Sequence, residues 1–119
     1  MNTPKPSPPY SKTRETDSLV FTAGHIGRDS DGQMKEGLQS QTELALQNLE
    51  DSLLRHGLNR ANVVRTTVYL ADMAHWDEMN EPYRAFFEEP FPARSTVSVG
   101  LPGDVLIEID AVAGKAIVQ

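Results

Sequence analysis

The residues predict an α+β domain in which two helices cover one face of a sheet of five or six strands. Three observations carry that expectation. The segments run strands, helix, strand, helix, two strands along 119 residues. Each strand segment is rich in β-branched residues. Two helices are too few to cover both faces of such a sheet, so the second face must meet water or another subunit. A chain of this length can bury about 65% of its unfolded surface, enough for a core without staples. Residues 10–119 are therefore expected to form one domain, and residues 1–9, "MNTPKPSPP", an extended proline-rich lead.

Taken in order, "LVFTAG" (19–24) predicts a strand, and "RDSDGQM" (28–34) a turn at Asp31 and Gly32, together a β-hairpin region. From Gly37 to His56 the apolar residues Leu38, Ala45, Leu46, Leu49 and Leu53 recur at helical spacing. Gln41, Glu43, Gln47, Glu50 and Asp51 fall largely outward, and Gly57 ends the helix. "NVVRTTVYL" (62–70) is a strand, and 72–89 a second helix with Asp72 as N-cap and Trp76, Met79, Tyr83, Phe86 and Phe87 on one buried face. Pro82 predicts a kink there, or a restart with the proline in the first turn. A strand follows in "PFPARSTVSVG" (90–100), and a long one over 104–119 turns Val105, Ile107, Ile109 and Ala111 one way, Leu106, Glu108, Asp110 and Val112 the other.

Composition narrows the function classes. A net charge of -6 and no basic run argue against a protein that lives on phosphate backbones. With no cysteine, disulfides and thiolate chemistry are excluded. No apolar block of secretory or membrane-spanning length opens the chain, so a soluble cytoplasmic protein is expected.

Arg94 heads the polar row Arg94, Thr96, Ser98 of its strand, while Ser95, Val97 and Val99 point the other way. Its guanidinium is permanently charged and forked to take a carboxylate with two parallel hydrogen bonds, so something acidic is expected near it. Glu108 lies between Ile107 and Ile109, where an unpaired carboxylate is expensive. Two readings stay open for it: a structural role, facing solvent or paired with Arg94, and a functional one.

The blocks "PPY", "LVFTAGHIG", "QTELALQNLEDSLLRHGL", "VVRTTVYLADMAHWDEMNEPYRAFF", "FPARSTVSV" and "IEIDAVA" occur in this order. Together they resemble the Rid family, the reactive-intermediate enamine/imine deaminases also called the YjgF family. The resemblance covers Tyr10 to Ala113. It implies a chorismate-mutase-like mixed sheet with both helices on one face, packed with its copies into the core of a homotrimer whose active clefts lie between subunits. It also implies that Arg94 binds the substrate carboxylate and that Glu108 positions the attacking water. Tyr10, Ala23, Asn80 and Thr96 would line the substrate cleft.

The activity so implied is hydrolysis of 2-enamine or 2-imine acids, such as 2-aminoacrylate, to 2-keto acids and ammonia. Such chemistry needs a carboxylate clamp, a group that holds water and a wall against solvent, and no metal or organic cofactor. Several positions depart from the family pattern. Where the family has "SGQIP" this chain has "AGHIG", so Ala23, His25 and Gly27 replace serine, glutamine and proline, and Thr96 stands where cysteine is frequent. These departures bear on substrate range, which the residues leave open. Alternatives are a noncatalytic trimer that binds small carboxylates or partner proteins, and a pathway-specific deaminase of an aminomuconate-type intermediate. A ribonuclease reading, often attached to this family, conflicts with the acidic charge.

Overall fold

The computed structural model describes residues 6–116, and the expectations for residues 1–5 and 117–119 lie outside the described residues. In chain order the elements are β1 (Thr13–Glu15), β2 (Leu19–Thr22), β3 (His25–Ile26), α1 (Leu38–Leu54), β4 (Val63–Leu70), α2 (Trp76–Phe86), β5 (Ala93–Ser98) and β6 (Ile107–Gly114). They build a six-stranded mixed sheet in the order β1-β2-β6-β4-β5, with β3 also paired to β6. Only β4 and β5 run parallel, because the helix α2 carries the chain back between them. The other pairings are antiparallel.

Strand alternation sorts the sheet's faces. Thr66, Val68 and Leu70 of β4 and Ile107, Ile109, Ala111 and Ala113 of β6 are buried under the helices. Leu46, Leu49 and Leu53 of α1 and Met79 and Tyr83 of α2 meet them in one core. On the opposite face lie Phe21, Tyr69, Val97, Glu108, Asp110 and Val112, of which Phe21 and Val97 are exposed. This uncovered face is the one predicted from the shortage of helices. Among the described residues, no helix is long and apolar enough to cross a membrane.

Several local expectations need correction. The partner of β2 is not a strand after the Asp31 turn. It is β1, whose sequence "TRE" is too short and polar to register as a strand. The turn itself exists: Arg28 bridges Met34, and the Asp29 side chain accepts from the backbone N–H groups of Asp31 and Gln33. On α1, Gln41 and Glu50 point inward, 2% and 7% exposed. The Gln41 amide donates to the Lys35 and Asp104 carbonyls and accepts from Leu106 N–H, tying two other chain segments to one side chain. A buried amide is tolerable when all its bonds are made, and periodicity alone does not reveal that.

The second helix is shorter than 72–89. Asp72 caps a single 3-10 turn at Met73–His75, through a bond from Ala74 N–H, and α2 then runs from Trp76. Pro82 sits in its interior, buried, rather than in the first turn of a restarted helix. Trp76 is 43% exposed and does not join the core with Met79, Tyr83 and Phe87. The last strand begins at Ile107, three residues later than the sequence suggests.

Candidate active site

Arg94 enters from β5 on the helix side, beside Thr66 of β4. Its guanidinium lies 4.7 Å from the centre of the Tyr83 ring and 5.7 Å from that of Trp76, with Nη1 4.0 Å from the Met79 sulfur. A cation on aromatic faces is held by the ring quadrupoles without being neutralised, so its hydrogen-bond donors stay available. The Tyr83 hydroxyl shares a 2.7 Å hydrogen bond with Thr66 Oγ1, which fixes the wall. Burial holds Tyr83 above the usual phenol range, so this wall is neutral. Arg94, Asn80, Trp76, Tyr83, Arg84 and Phe91 line a pocket of about 230 Å³. Two residues along, the Thr96 hydroxyl is buried and makes no hydrogen bond among the described residues.

Glu108 lies elsewhere. It sits on the uncovered face of β6, opposite Tyr69, whereas Arg94 lies two strands away on the covered face. Two strand spacings alone put about 10 Å between their backbones, with the sheet between the side chains. Of the readings left open for Glu108, pairing with Arg94 inside one chain is ruled out, because alternation sends them to opposite faces. The acidic neighbour expected for Arg94 is missing too. Among the described residues, neither side chain takes part in an ion pair.

What Glu108 meets is the turn between β2 and β3. A Cβ added to Gly24 would overlap its carboxyl group, so the glycine lets that carboxyl lie directly against the backbone of the turn. Burial, followed by the charge of Asp110 on the same face, raises the Glu108 pKa above the ordinary carboxylate value. Asp110 in turn accepts a 2.8 Å hydrogen bond from the Tyr69 hydroxyl. Glu108 is thus a carboxyl group placed to exchange a proton more readily near neutrality than a solvated one.

Tyr10 and Ala23 line a third region, a cavity of about 530 Å³ beside α1 that also includes Lys12, His25, Arg28 and Ser52. Tyr10 is 68% exposed there. One chain therefore brings Arg94 and Asn80 together and keeps Glu108, Tyr10 and Ala23 apart from them. The sequence reading missed Trp76 as a pocket wall and Gly24 as the residue seated against Glu108; it placed Asp110 on the Glu108 face without drawing the effect of its charge on that carboxyl group. The i, i+2 spacing of Glu108 and Asp110 was a readable signal. Among the described residues, no group of three or more acidic or histidine side chains is arranged to hold a metal ion.

Fold and pocket together define an α+β protein with an arginine-bearing, aromatic-walled pocket on the helix side of its sheet and a less acidic carboxyl group on the other. The family described as Endoribonuclease L-PSP matches residues 1–115, and the chain belongs to that family, also known as YjgF/RidA. A RutC family protein of Pyrococcus horikoshii is 42% identical over 96% of this chain and 93% of its own length. The human 2-iminobutanoate/2-iminopropanoate deaminase is 40% identical over 88% of this chain and 79% of its own. Among solved structures, E. coli TdcF with bound serine superimposes with a TM-score of 0.86 at 33% identity, covering 95% of this chain and 93% of that one.

Proposed function

We propose that this chain is an enamine/imine deaminase that hydrolyses reactive 2-imine acids, formed from 2-enamine acids such as 2-aminoacrylate, to 2-keto acids and ammonia. One observation carries the reading: the Arg94 guanidinium stands in an aromatic-walled pocket and, among the described residues, no carboxylate pairs with it. A small carboxylate suits the forked donors of that guanidinium, with two charge-assisted hydrogen bonds. The names of the deaminase relatives and the serine bound to TdcF support the same chemistry.

In this reading Arg94 clamps the substrate carboxylate, and Asn80, Thr96, Tyr10 and Ala23 line the cleft. Glu108 holds the attacking water. The water oxygen bonds to C2 of the imine as the C=N π bond breaks; its proton passes to Glu108, while the imine nitrogen takes up a proton from solvent. The carbinolamine then loses ammonia as Glu108 returns its proton to the departing nitrogen, the C–N bond breaks, the C=O bond forms and the hydroxyl proton passes back to solvent. Water enters, ammonia and a keto acid leave, and no redox partner is needed.

Because Arg94 and Glu108 lie on opposite faces of one sheet, a single substrate reaches both only where two copies meet. We place the cleft between subunits of a homotrimer built on the uncovered face that carries Phe21 and Val97. The test is to generate 2-aminoacrylate in the presence of the purified protein and follow keto-acid formation against the spontaneous rate, with the mass in solution measured by light scattering. Acceleration by a trimer is expected. A rate no faster than the spontaneous one would overturn the deaminase reading, and an active monomer would overturn the shared cleft.

A further inference from the structure

His25 makes two hydrogen bonds that the reaction outlined above does not use. Nδ1 lies 2.8 Å from the Ala23 carbonyl and Nε2 2.7 Å from Ser52 Oγ on α1. The carbonyl can only accept, so Nδ1 carries the proton and Nε2 accepts from the serine hydroxyl. Burial, the largest influence, lowers the His25 pKa, with the carbonyl bond opposing it and nearby Lys12 adding to it, so the ring is neutral at pH 7. The Ala23 carbonyl is held from a second side by the Thr22 hydroxyl, which donates at 2.8 Å and accepts from Ala111 N–H.

The segment so held needs the help. β3 is two residues long, with Ile26 opposite Glu108 and His25 opposite Ile109, and so short a ladder fixes little by itself. Helix α1 supplies the rest from one face: Asn48 donates to the carbonyls of Ile26 and Arg28, and Ser52, four residues on, holds the His25 ring. The turn pinned in this way contains Gly24, the residue seated against the Glu108 carboxyl group.

We propose that His25 is a positioning residue: by holding the Ala23 carbonyl it keeps the Ala23-Gly24 turn closed over Glu108 and so controls how much water reaches that carboxyl group. The inference rests on the deaminase reading for its consequence in turnover, but not for its structural content. The groups that face Glu108 are Asp110 on its own strand, Tyr69 on β4 and Ile26 on β3, and none of them is exchanged in the experiment below. The charged groups that share the cavity with His25 are Lys12, Arg28, Asp29, Asp51 and Arg55, which also stay in place.

The experiment titrates the Glu108 carboxyl carbon by NMR in protein labelled with 13C-glutamate, the signal being identified by its loss in Glu108→Gln. Wild type is compared with His25→Ala, which loses both bonds, His25→Asn, whose amide nitrogen can stand in for Nδ1, and Thr22→Val, which releases the carbonyl from its other side. The Glu108 midpoint should move down, toward the ordinary carboxylate value, in His25→Ala and Thr22→Val, and stay near wild type in His25→Asn. In His25→Ala, kcat for imine hydrolysis should fall between about 10- and 100-fold with KM little changed, as expected for a displaced but still present group. Unmoved midpoints in His25→Ala and Thr22→Val, or a His25→Asn that titrates like His25→Ala, would overturn the proposal. Should His25→Ala not fold, Thr22→Val and His25→Asn decide it alone. A wild-type protein that hydrolyses no imine removes the deaminase reading, and the titration still decides the positioning.

Discussion

The molecule holds charged groups in two contrasting ways. Between α1 and the 3-10 turn at Arg60–Asn62, Glu50 receives the Arg60 side chain at 2.7 and 2.9 Å and the Arg60 backbone N–H at 2.8 Å. The same guanidinium stacks 3.8 Å over the Phe86 ring and donates to the Phe86 carbonyl. Every demand is met inside the chain, and the Arg60 hydrogen bond holds the Glu50 carboxyl below its usual range. Arg94 and Glu108 are half-buried, yet neither has a counter-ion among the described residues, and Glu108 is raised instead. A satisfied pair is architecture. Two unsatisfied charges kept on opposite faces of a sheet suit a ligand that supplies the missing partner.

The most severe break in this contrast is Arg94→Ala. The pocket would lose the forked donor held against the Tyr83 and Trp76 rings, with Arg84 left at its lining, and kcat/KM should fall about 10³-fold, the scale of removing one partner from a desolvated charged pair. Arg94→Lys should recover little, because an ammonium cannot reproduce the two parallel bonds. Since Arg94 makes no ion pair among the described residues and gives up only its contacts with the Tyr83 and Trp76 rings and the Met79 sulfur, the thermal midpoint should fall only slightly. Steady-state kinetics with an alanine-derived imine, alongside a melting curve, check both halves, and near-normal turnover in Arg94→Ala would sink the clamp.

Glu108→Gln comes next, with a loss of roughly 100-fold in kcat and KM largely kept, because the amide can still hold water but cannot take its proton. Its stability has the opposite sign from that of a paired acid. A carboxyl group whose folded pKa is raised costs stability once pH climbs above its unfolded value, and the cost is complete above the folded value. The variant should therefore melt at or above the wild-type temperature at pH 7, with the difference vanishing below the ordinary value of 4.5. A large destabilisation at pH 7 would return Glu108 to a structural role.

Glu50→Gln sharpens the other side. It should leave turnover nearly unchanged and cost about 2 kcal/mol at pH 7, below the figure for a fully buried pair because Arg60 is partly exposed and water screens it. Here the folded pKa is lowered, so the stabilisation is present above the unfolded value and is lost as pH falls through the folded one. Urea titrations of both proteins at neutral and acid pH should converge on the acid side.

Much of this was legible in the residues. The Leu46, Leu49 and Leu53 stripe, the β-branched strands and the shortage of helices gave the layered sheet with one bare face. Arg94, Asn80 and Glu108 could be singled out by chemistry and by the family pattern. Periodicity could not say that Gln41 and Glu50 find buried partners, because that depends on the Lys35 and Asp104 carbonyls and on Arg60, distant in sequence. It marked the face of Trp76 but not its place at the exposed start of α2. The separation of Arg94 from Glu108 required strand order, since either face was open to each strand until β4 was found between them.

The mildest test concerns Thr96, two residues from Arg94 on the same side of β5. Its hydroxyl is shut off from water and has no hydrogen-bond partner among the described residues, a cost of about 1 kcal/mol or more in a folded chain. Valine replaces the hydroxyl with a methyl group of similar shape, so the penalty disappears while the strand keeps a β-branched residue. Thr96→Val should thus raise the thermal midpoint by about 4 °C. The same change removes a polar group from the proposed cleft, and KM for the imine should rise severalfold if substrate or its water supplies the missing partner. A raised midpoint with unchanged KM would mean that the hydroxyl is idle and would remove Thr96 from the cleft. A lowered midpoint would mean that the assembled protein pairs it, and Thr96 would then belong with Glu50 and Arg60 as architecture.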